Sequence, residues 1–189
     1  MSPLLPYFDQ LYRLDSAAKA ALSAVCSTVY LPKNELLQPI GQPCRTIYIV
    51  EKGIARIFYY KDGVDITEYF AAEQQLIVRA ESLFKGIPSQ KGIQVLEDTT
   101  LTAIPATQLF QLFDEYPGIE RLFRKIIETA YVDTVLRLES LQFNSAEERY
   151  KHLIESTPDI IKRVPLKYIA SFLGITQVSL SRIRSKPLT

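Results

Sequence analysis

From residue 28 to Pro105 the chain consists of short runs of β-branched and aromatic residues, and beyond Pro105 its apolar spacing turns helical. That switch constrains the fold more than any other feature. The runs at 28–31, 35–38, 46–51, 54–60 and 64–70 are set apart by Gly41-Gln42-Pro43, Lys52-Gly53 and Asp62-Gly63, and two more follow at 92–96 and 100–104. Strands recurring at roughly ten-residue intervals between turn residues predict an antiparallel sandwich or jelly roll. Asp62-Gly63 is a good hairpin signal, because both residues tolerate the positive φ of a type I′ turn. The stretch 71–91 is less regular. Glu81-Ser82-Leu83-Phe84 reads as one helical turn before Gly86, and an irregular insertion inside a β-roll is a natural place for a ligand pocket.

Helices flank this region. Leu4, Phe8, Leu11 and Leu14 repeat at helical spacing, and helix formers fill 17–25 after Asp15-Ser16, so one or two amphipathic helices should cover an edge of the roll. Leu109, Leu112 and Phe113 mark a short helix that stops near Tyr116-Pro117-Gly118. A longer one then runs over 119–142, about 24 residues or roughly 36 Å. Its apolar residues occupy more than one stripe, so one side should pack on the roll and the other on a second copy of the chain. Leu122, Ile126, Ala130 and Leu138 are the expected seam of that homodimer.

The chain restarts at Asn144. Ser145 and Glu148 fit the S-x-x-E capping box, and the helix that follows carries Tyr150, Leu153 and Ile154 on one side before Pro158. The break divides a body, 1–143, from a module, 144–189. Lys and Arg number 14 against 17 Asp and Glu in the body, a balance of −3, and 8 against 4 in the module, a balance of +4. Such asymmetry points to a basic output unit.

Within the module, 165–186 reads as two short helices joined by a tight corner. Ile169, Ala170 and Leu173 share a face of the first, and Leu180 and Ile183 a face of the second. Gly174 ends one helix with a positive φ, Ile175 plugs the angle and Thr176 caps the next. Small Ala170 lets the helices cross closely. This is the spacing of a helix-turn-helix that presents its second helix to a DNA major groove. That helix exposes Gln177, Ser179, Ser181, Arg182 and Lys186 and contains no acid; after Asp159, the last acid, come Lys162, Arg163, Lys167, Arg182, Arg184 and Lys186.

A β-roll, a long helix, a capped short helix and a helix-turn-helix, in that order, resemble the Crp/Fnr superfamily of bacterial transcription regulators. The likeness is most specific at SAEER (145–149), VPLKYIA (164–170) and LGITQVSLSRIR (173–184), and shows also in YIVEKG (48–53) and Leu96-Glu97-Asp98. The wording looks most like the branch common in Bacteroidetes. The resemblance implies an α+β chain: a jelly-roll-like sensor, a long dimerisation helix and a winged-helix-like C-terminal module. Only Lys186 to Thr189 follow the second helix, too short for the usual wing. It implies a homodimer on near-palindromic double-stranded DNA, with RNA polymerase as a further partner. Arg182 falls at the family's main base-reading arginine and suits guanine, Gln177 suits adenine, and Val178 a thymine methyl. Thr176, Ser179 and Lys186 are placed for phosphate, and Lys167 completes the DNA-binding set.

The sensing chemistry departs from the family. Cyclic-nucleotide binders use a Gly-Glu pair for the ribose and an Arg-Ser or Arg-Thr pair for the phosphate. Here those regions read Glu73-Gln74-Gln75 and Pro88-Ser89-Gln90-Lys91, so weak or no binding of cyclic AMP is expected. Arg79, Glu81, Ser89 and Lys91 are the candidate pocket residues for an unidentified small-molecule effector. Two separated cysteines, Cys26 and Cys44, do not make an iron–sulfur site. The one histidine, His152, lies outside the roll, which argues against haem and against a cupin-like metal enzyme. No signal peptide or membrane-spanning run is recognisable, and cysteine usage suits a reducing, cytoplasmic setting. The alternative reading is a sensing or protein-interaction module whose DNA binding is weak or lost.

Overall fold

The computed structural model describes residues 5–185; the expectations for Leu4, for Lys186 and for the tail that follows it lie outside the described residues. Helices α1 (Leu5–Leu11) and α2 (Ser16–Val25) come first, and Asp15 caps α2 by accepting the Ala18 N–H at 2.8 Å. Eight strands follow: β1 (Ser27–Leu31), β2 (Leu36–Gln38), β3 (Thr46–Lys52), β4 (Ala55–Lys61), β5 (Val64–Ala71), β6 (Leu76–Ile77), β7 (Gly92–Val95) and β8 (Thr99–Pro105). They form two antiparallel four-stranded sheets, ordered β1-β8-β3-β6 and β2-β7-β4-β5. Asp62 and Gly63 close the β4–β5 hairpin at φ 51° and 76°, as the turn chemistry requires. Helix α3 (Ala80–Lys85) fills the irregular insertion.

Between the sheets lie Val50, Ala55, Ile93, Val95 and Leu101, all fully buried. The β3–β4 turn is tight against β8. Gly53 sits at φ 109°, and a Cβ there would stand 2.4 Å from the Thr99 hydroxyl and 2.9 Å from its Cα, so only glycine fits.

Helix α4 (Ala106–Glu115) and the 27-residue α5 (Pro117–Phe143) leave the roll. The first turns of α5 are enclosed: Ile119, Leu122, Phe123 and Ile126 share a core with Phe8, Leu14, Leu22, Ile104 and Leu109. The expected seam is corrected here. Leu122 and Ile126 are interior residues of their own chain, because α1, α2 and α4 close over that side, with the Phe123 ring 6.3 Å from Phe8 and 5.8 Å from Phe113. Ala130 and Leu138 are exposed, as are Ile127, Tyr131 and Leu141. Ile127, Tyr131, Thr134, Leu138 and Leu141 recur at alternating steps of four and three, the spacing of a coiled-coil seam.

Among the described residues the last four helices are α6 (Ala146–Ser156), α7 (Pro158–Arg163), α8 (Leu166–Phe172) and α9 (Gln177–Ser185). Both halves of the Ser145–Glu148 capping box are formed, at 3.2 and 2.7 Å. Tyr150, Leu153, Ile160, Val164, Ile169, Leu173, Leu180 and Ile183 make a core that also takes in Ile54, Phe70 and Leu96 of the roll. Two short elements, β6 and α7, go beyond the sequence expectation. Among the described residues no helix is long and apolar enough to cross a membrane.

Candidate functional site

The corner between α8 and α9 forms as its residues dictate. Gly174 adopts φ 69°, its N–H reaches the Ser171 carbonyl at 3.0 Å, and the Ile175 N–H reaches that of Ala170 at 3.0 Å. These two bonds make a complete Schellman motif, which satisfies carbonyls that the end of α8 would leave free. Thr176 then starts α9: its hydroxyl accepts the Ser179 N–H at 3.1 Å and lies 2.9 Å from the Ser179 hydroxyl. With Leu180 and Ile183 buried, Gln177, Val178, Ser181, Arg182 and Arg184 face outward; Val178 is 63% exposed. Lys167 is exposed on α8, its ammonium 4.7 Å from the Tyr168 ring. Lys186, assigned to the same surface, lies outside the described residues.

The basic run after Asp159 is narrower in space than in sequence. Lys162 lies 3.8 Å from Asp159. Arg163 turns inward onto two carboxylates of the roll, reaching Glu73 at 2.6 and 3.0 Å and also pairing with Glu97. Its guanidinium holds the Glu73 carboxyl at about 2, against the pull of burial and with help from the Gly53 N–H, which donates to Glu73 at 2.9 Å. Lys167, Arg182 and Arg184 remain as the outward cations of the helix pair.

Helix α8 is seated on β5. Ser171 accepts the Thr67 N–H at 2.7 Å, and the Phe172 ring lies 5.0 Å from Phe70. Beneath, Arg56 is 1% exposed and fully engaged: it grips Asp65 bidentately at 2.6 and 2.7 Å, bonds Thr67 and Gln94, and lies 3.7 Å from the Tyr168 ring. A buried guanidinium is tolerated when its donors are met in this way.

A cleft of about 620 Å³ opens between β4, β5, α3, α5 and the end of α8. Apolar walls come from Ile57, Ile66, Val78, Leu138 and Phe172, and polar groups from Tyr59, Glu68, Arg79, Glu81, Thr134 and Arg137. Of the expected pocket residues, Arg79 and Glu81 line it. Ser89 and Lys91 are corrected. Ser89 is buried, its hydroxyl donating to the Lys91 carbonyl at 2.7 Å, because the loop folds back on itself. Lys91 turns onto Glu68 and the Tyr59 ring, and neither residue is in the cleft wall. Arg79 reaches Glu68 at 3.1 Å, and Glu81 is held by Lys85 at 3.0 Å.

Sequence reasoning missed Glu68, Tyr59 and above all Arg137. Arg137 donates to the Phe172 carbonyl at 2.9 Å, and its guanidinium lies 3.7 Å from the Phe172 ring. Burial pulls it down to about 10; Glu68 opposes the fall and Arg149 adds to it. The available signal was an arginine set among Leu136, Leu138 and Leu141. The two cysteines are free thiols, Cys44 buried and Cys26 half-buried, and His152 is exposed on α6. Among the described residues no cluster of histidine, cysteine and carboxylate side chains could hold a metal ion.

Residues 28–116 match the family model described as the cyclic nucleotide-binding domain. Among solved structures, the c-di-GMP responsive global regulator CLP of Xanthomonas campestris is 17% identical and superposes with a TM-score of 0.70, over 89% of each chain. A protein from Eubacterium rectale assigned to the crp/fnr family of transcriptional regulators is 20% identical, with a TM-score of 0.69 over 96% of this chain and 84% of that one. FixK2 of Bradyrhizobium japonicum is 17% identical, at 0.70 over 85% and 83%. No curated protein matches the chain by sequence. Residues 28–116 are thus similar to the cyclic nucleotide-binding domain, and the overall fold is like that of the Eubacterium rectale protein assigned to the crp/fnr family.

Proposed function

We propose that this chain is a sequence-specific DNA-binding transcription regulator that acts as a homodimer. The observation that carries the reading is the outward face of α9. Gln177, Val178, Ser181, Arg182 and Arg184 project from a helix fixed by a complete Schellman corner and a threonine cap, with no acid among them. A major groove accepts such a helix, and arginine is the side chain suited to guanine there. In this reading Arg182 and Gln177 contact base edges, Val178 meets a thymine methyl, and Thr176, Ser179, Lys167 and Lys186 contact phosphate. The body, 1–143, acts as sensor and the module, 144–189, as output. Pairing along Ile127, Tyr131, Thr134, Leu138 and Leu141 would set two α9 helices on half-sites about one helical turn apart.

The cleft does not serve cyclic AMP in this reading. The carboxylate of Glu73 is tied to Arg163 and the Gly53 N–H, and no Arg-Ser pair follows where the family grips phosphate. Selection from a randomised duplex library tests the whole. A near-palindromic motif should emerge, its binding should weaken with salt, and Arg182→Ala should relax base preference while Lys167→Ala weakens all sequences alike. A library that yields no motif would leave the chain as a sensing or interaction module.

A further inference from the structure

The C-terminal half of α5 carries a second apolar stripe, which pairing along the seam would leave open. Leu136 stands two residues from Leu138, and at about 100° per residue the two face nearly opposite ways. Val132, Leu136 and Phe143 recur at steps of four and seven along roughly 16 Å of helix. All three are exposed, and Phe143, at 78%, is the most exposed large apolar side chain among the described residues. Beside the stripe lies a groove of about 600 Å³, lined by Leu136 and Phe143 of α5, His152 and Leu153 of α6, and the Phe70 and Phe172 rings. Charge is divided across it. Arg137 is turned onto the Phe172 carbonyl at 2.9 Å, and Arg149 onto those of Leu173 and Asn144 at 3.0 and 2.6 Å. Asp133 and Glu139 also line the groove, yet both are exposed and make no ion pair among the described residues.

We propose that this groove docks an amphipathic helix of a partner protein, with an apolar stripe against Leu136 and Phe143 and lysine or arginine beside it to meet Asp133 and Glu139. The site stands on α5 and α6 and does not depend on the DNA-binding reading. Its chemistry selects a helix. Backbone groups in the interior of α5 and α6 are bonded within each helix, so no open ladder is offered to an added strand and recognition falls to side chains. Residues at steps of four form a ridge against which a second helix packs. An exposed apolar stripe of this length, rimmed by polar residues, marks an interaction site. Charge then sets the flanks, because two carboxylates without ion pairs favour basic side chains opposite them and reject acidic ones. A second copy of this chain is the poorer occupant. Its basic helix, α9, exposes one large apolar side chain among the described residues, Val178, and so lacks the matching stripe.

Selection of a displayed library of helical peptides on the full chain tests the site. Enriched sequences should carry apolar residues at i, i+3 or i+4 and i+7, with lysine or arginine beside them. The best enriched peptide, labelled for fluorescence anisotropy, then serves as the probe. Leu136→Glu should weaken its binding about tenfold or more. Asp133→Asn combined with Glu139→Gln should weaken it about threefold, an effect that shrinks as salt rises. Tyr30→Glu, at an exposed aromatic on β1, should leave it unchanged. Circular dichroism melts of each variant confirm that it is folded. No enriched peptide, acidic flanks in place of basic ones, or binding to Leu136→Glu as tight as to wild type overturns the proposal. Sedimentation equilibrium in which Leu136→Glu weakens self-association assigns the stripe to a second copy of the chain and overturns the partner helix as well.

Discussion

Along α5 one apolar spacing has two outcomes. In the first turns Leu122 is fully buried, enclosed with Ile119, Phe123 and Ile126 by α1, α2 and α4. Past Ile126 the helix leaves that cover. Tyr131 is 69% exposed, and Ile127, Val132, Leu136, Leu138, Leu141 and Phe143 are exposed with it. The difference is set by what the rest of the chain can reach. An apolar stripe that the fold leaves open over several turns marks an interaction surface, whereas the same residues one turn earlier are core.

The largest expected effect is on the enclosed half. Leu122→Ala should lower the free energy of unfolding by about 2–5 kcal/mol, measured by urea denaturation at concentrations where the chain is monomeric. Leu138→Ala should change it by no more than about 0.5 kcal/mol under the same conditions. Equal losses would erase the distinction between the halves. Next comes association. Tyr131→Glu should weaken self-association by about 2 kcal/mol, roughly thirtyfold, and sedimentation equilibrium that shows no change would remove this stripe as the proposed homodimer seam.

A smaller effect sharpens the comparison where α5 ends. Ser145→Ala removes the side-chain acceptor for the Glu148 N–H and should cost about 1 kcal/mol. Amide exchange should speed in the first turn of α6 and leave the first turns of α5 unchanged. Smallest is the pH dependence of the Arg163 clamp. Glu73 has a folded pKa of about 2 against an ordinary 4.5. Its stabilising contribution is therefore present above about 4.5 and lost as pH falls from there toward 2. With the Glu73 side chain 38% and Arg163 27% exposed, solvent screening keeps it below about 1 kcal/mol. Acid melts of Arg163→Gln should lose part of this pH dependence; a profile identical to wild type would assign the low Glu73 value to another partner.

Local chemistry was legible in the sequence wherever one stretch settles its own conformation. The Asp62-Gly63 hairpin, the Ser145–Glu148 box, the Gly174 corner and the length of the long helix each follow from residues within a few positions of one another. The stripe on that helix was legible as two-sided, but its assignment was not. Which side meets α1 and α4 depends on how the roll closes, so spacing alone places Leu122 and Ile126 in the seam although both are core. Strand β6, with two residues, has too few positions to show a period. The cleft was legible only in its α3 wall. Glu68, Arg79 and Arg137 come from β5, the residue that precedes α3 and α5, and the pairing of Lys91 with Glu68 spans 23 residues. Charge read by count misled for the same reason: Arg163 belongs to the basic run by sequence but neutralises Glu73 and Glu97 in space.

The seat of α8 on β5 has one more consequence. In its sheet β5 pairs on one side, with β4, and is the last strand in the order. A terminal strand of this kind is a template on which another molecule's backbone can add, the starting point of strand exchange and aggregation. Ser171 occupies part of that template by accepting the Thr67 N–H. The C-terminal helix pair is thus also a protective cover, and any motion that frees α8 from the roll exposes an edge able to recruit a second chain.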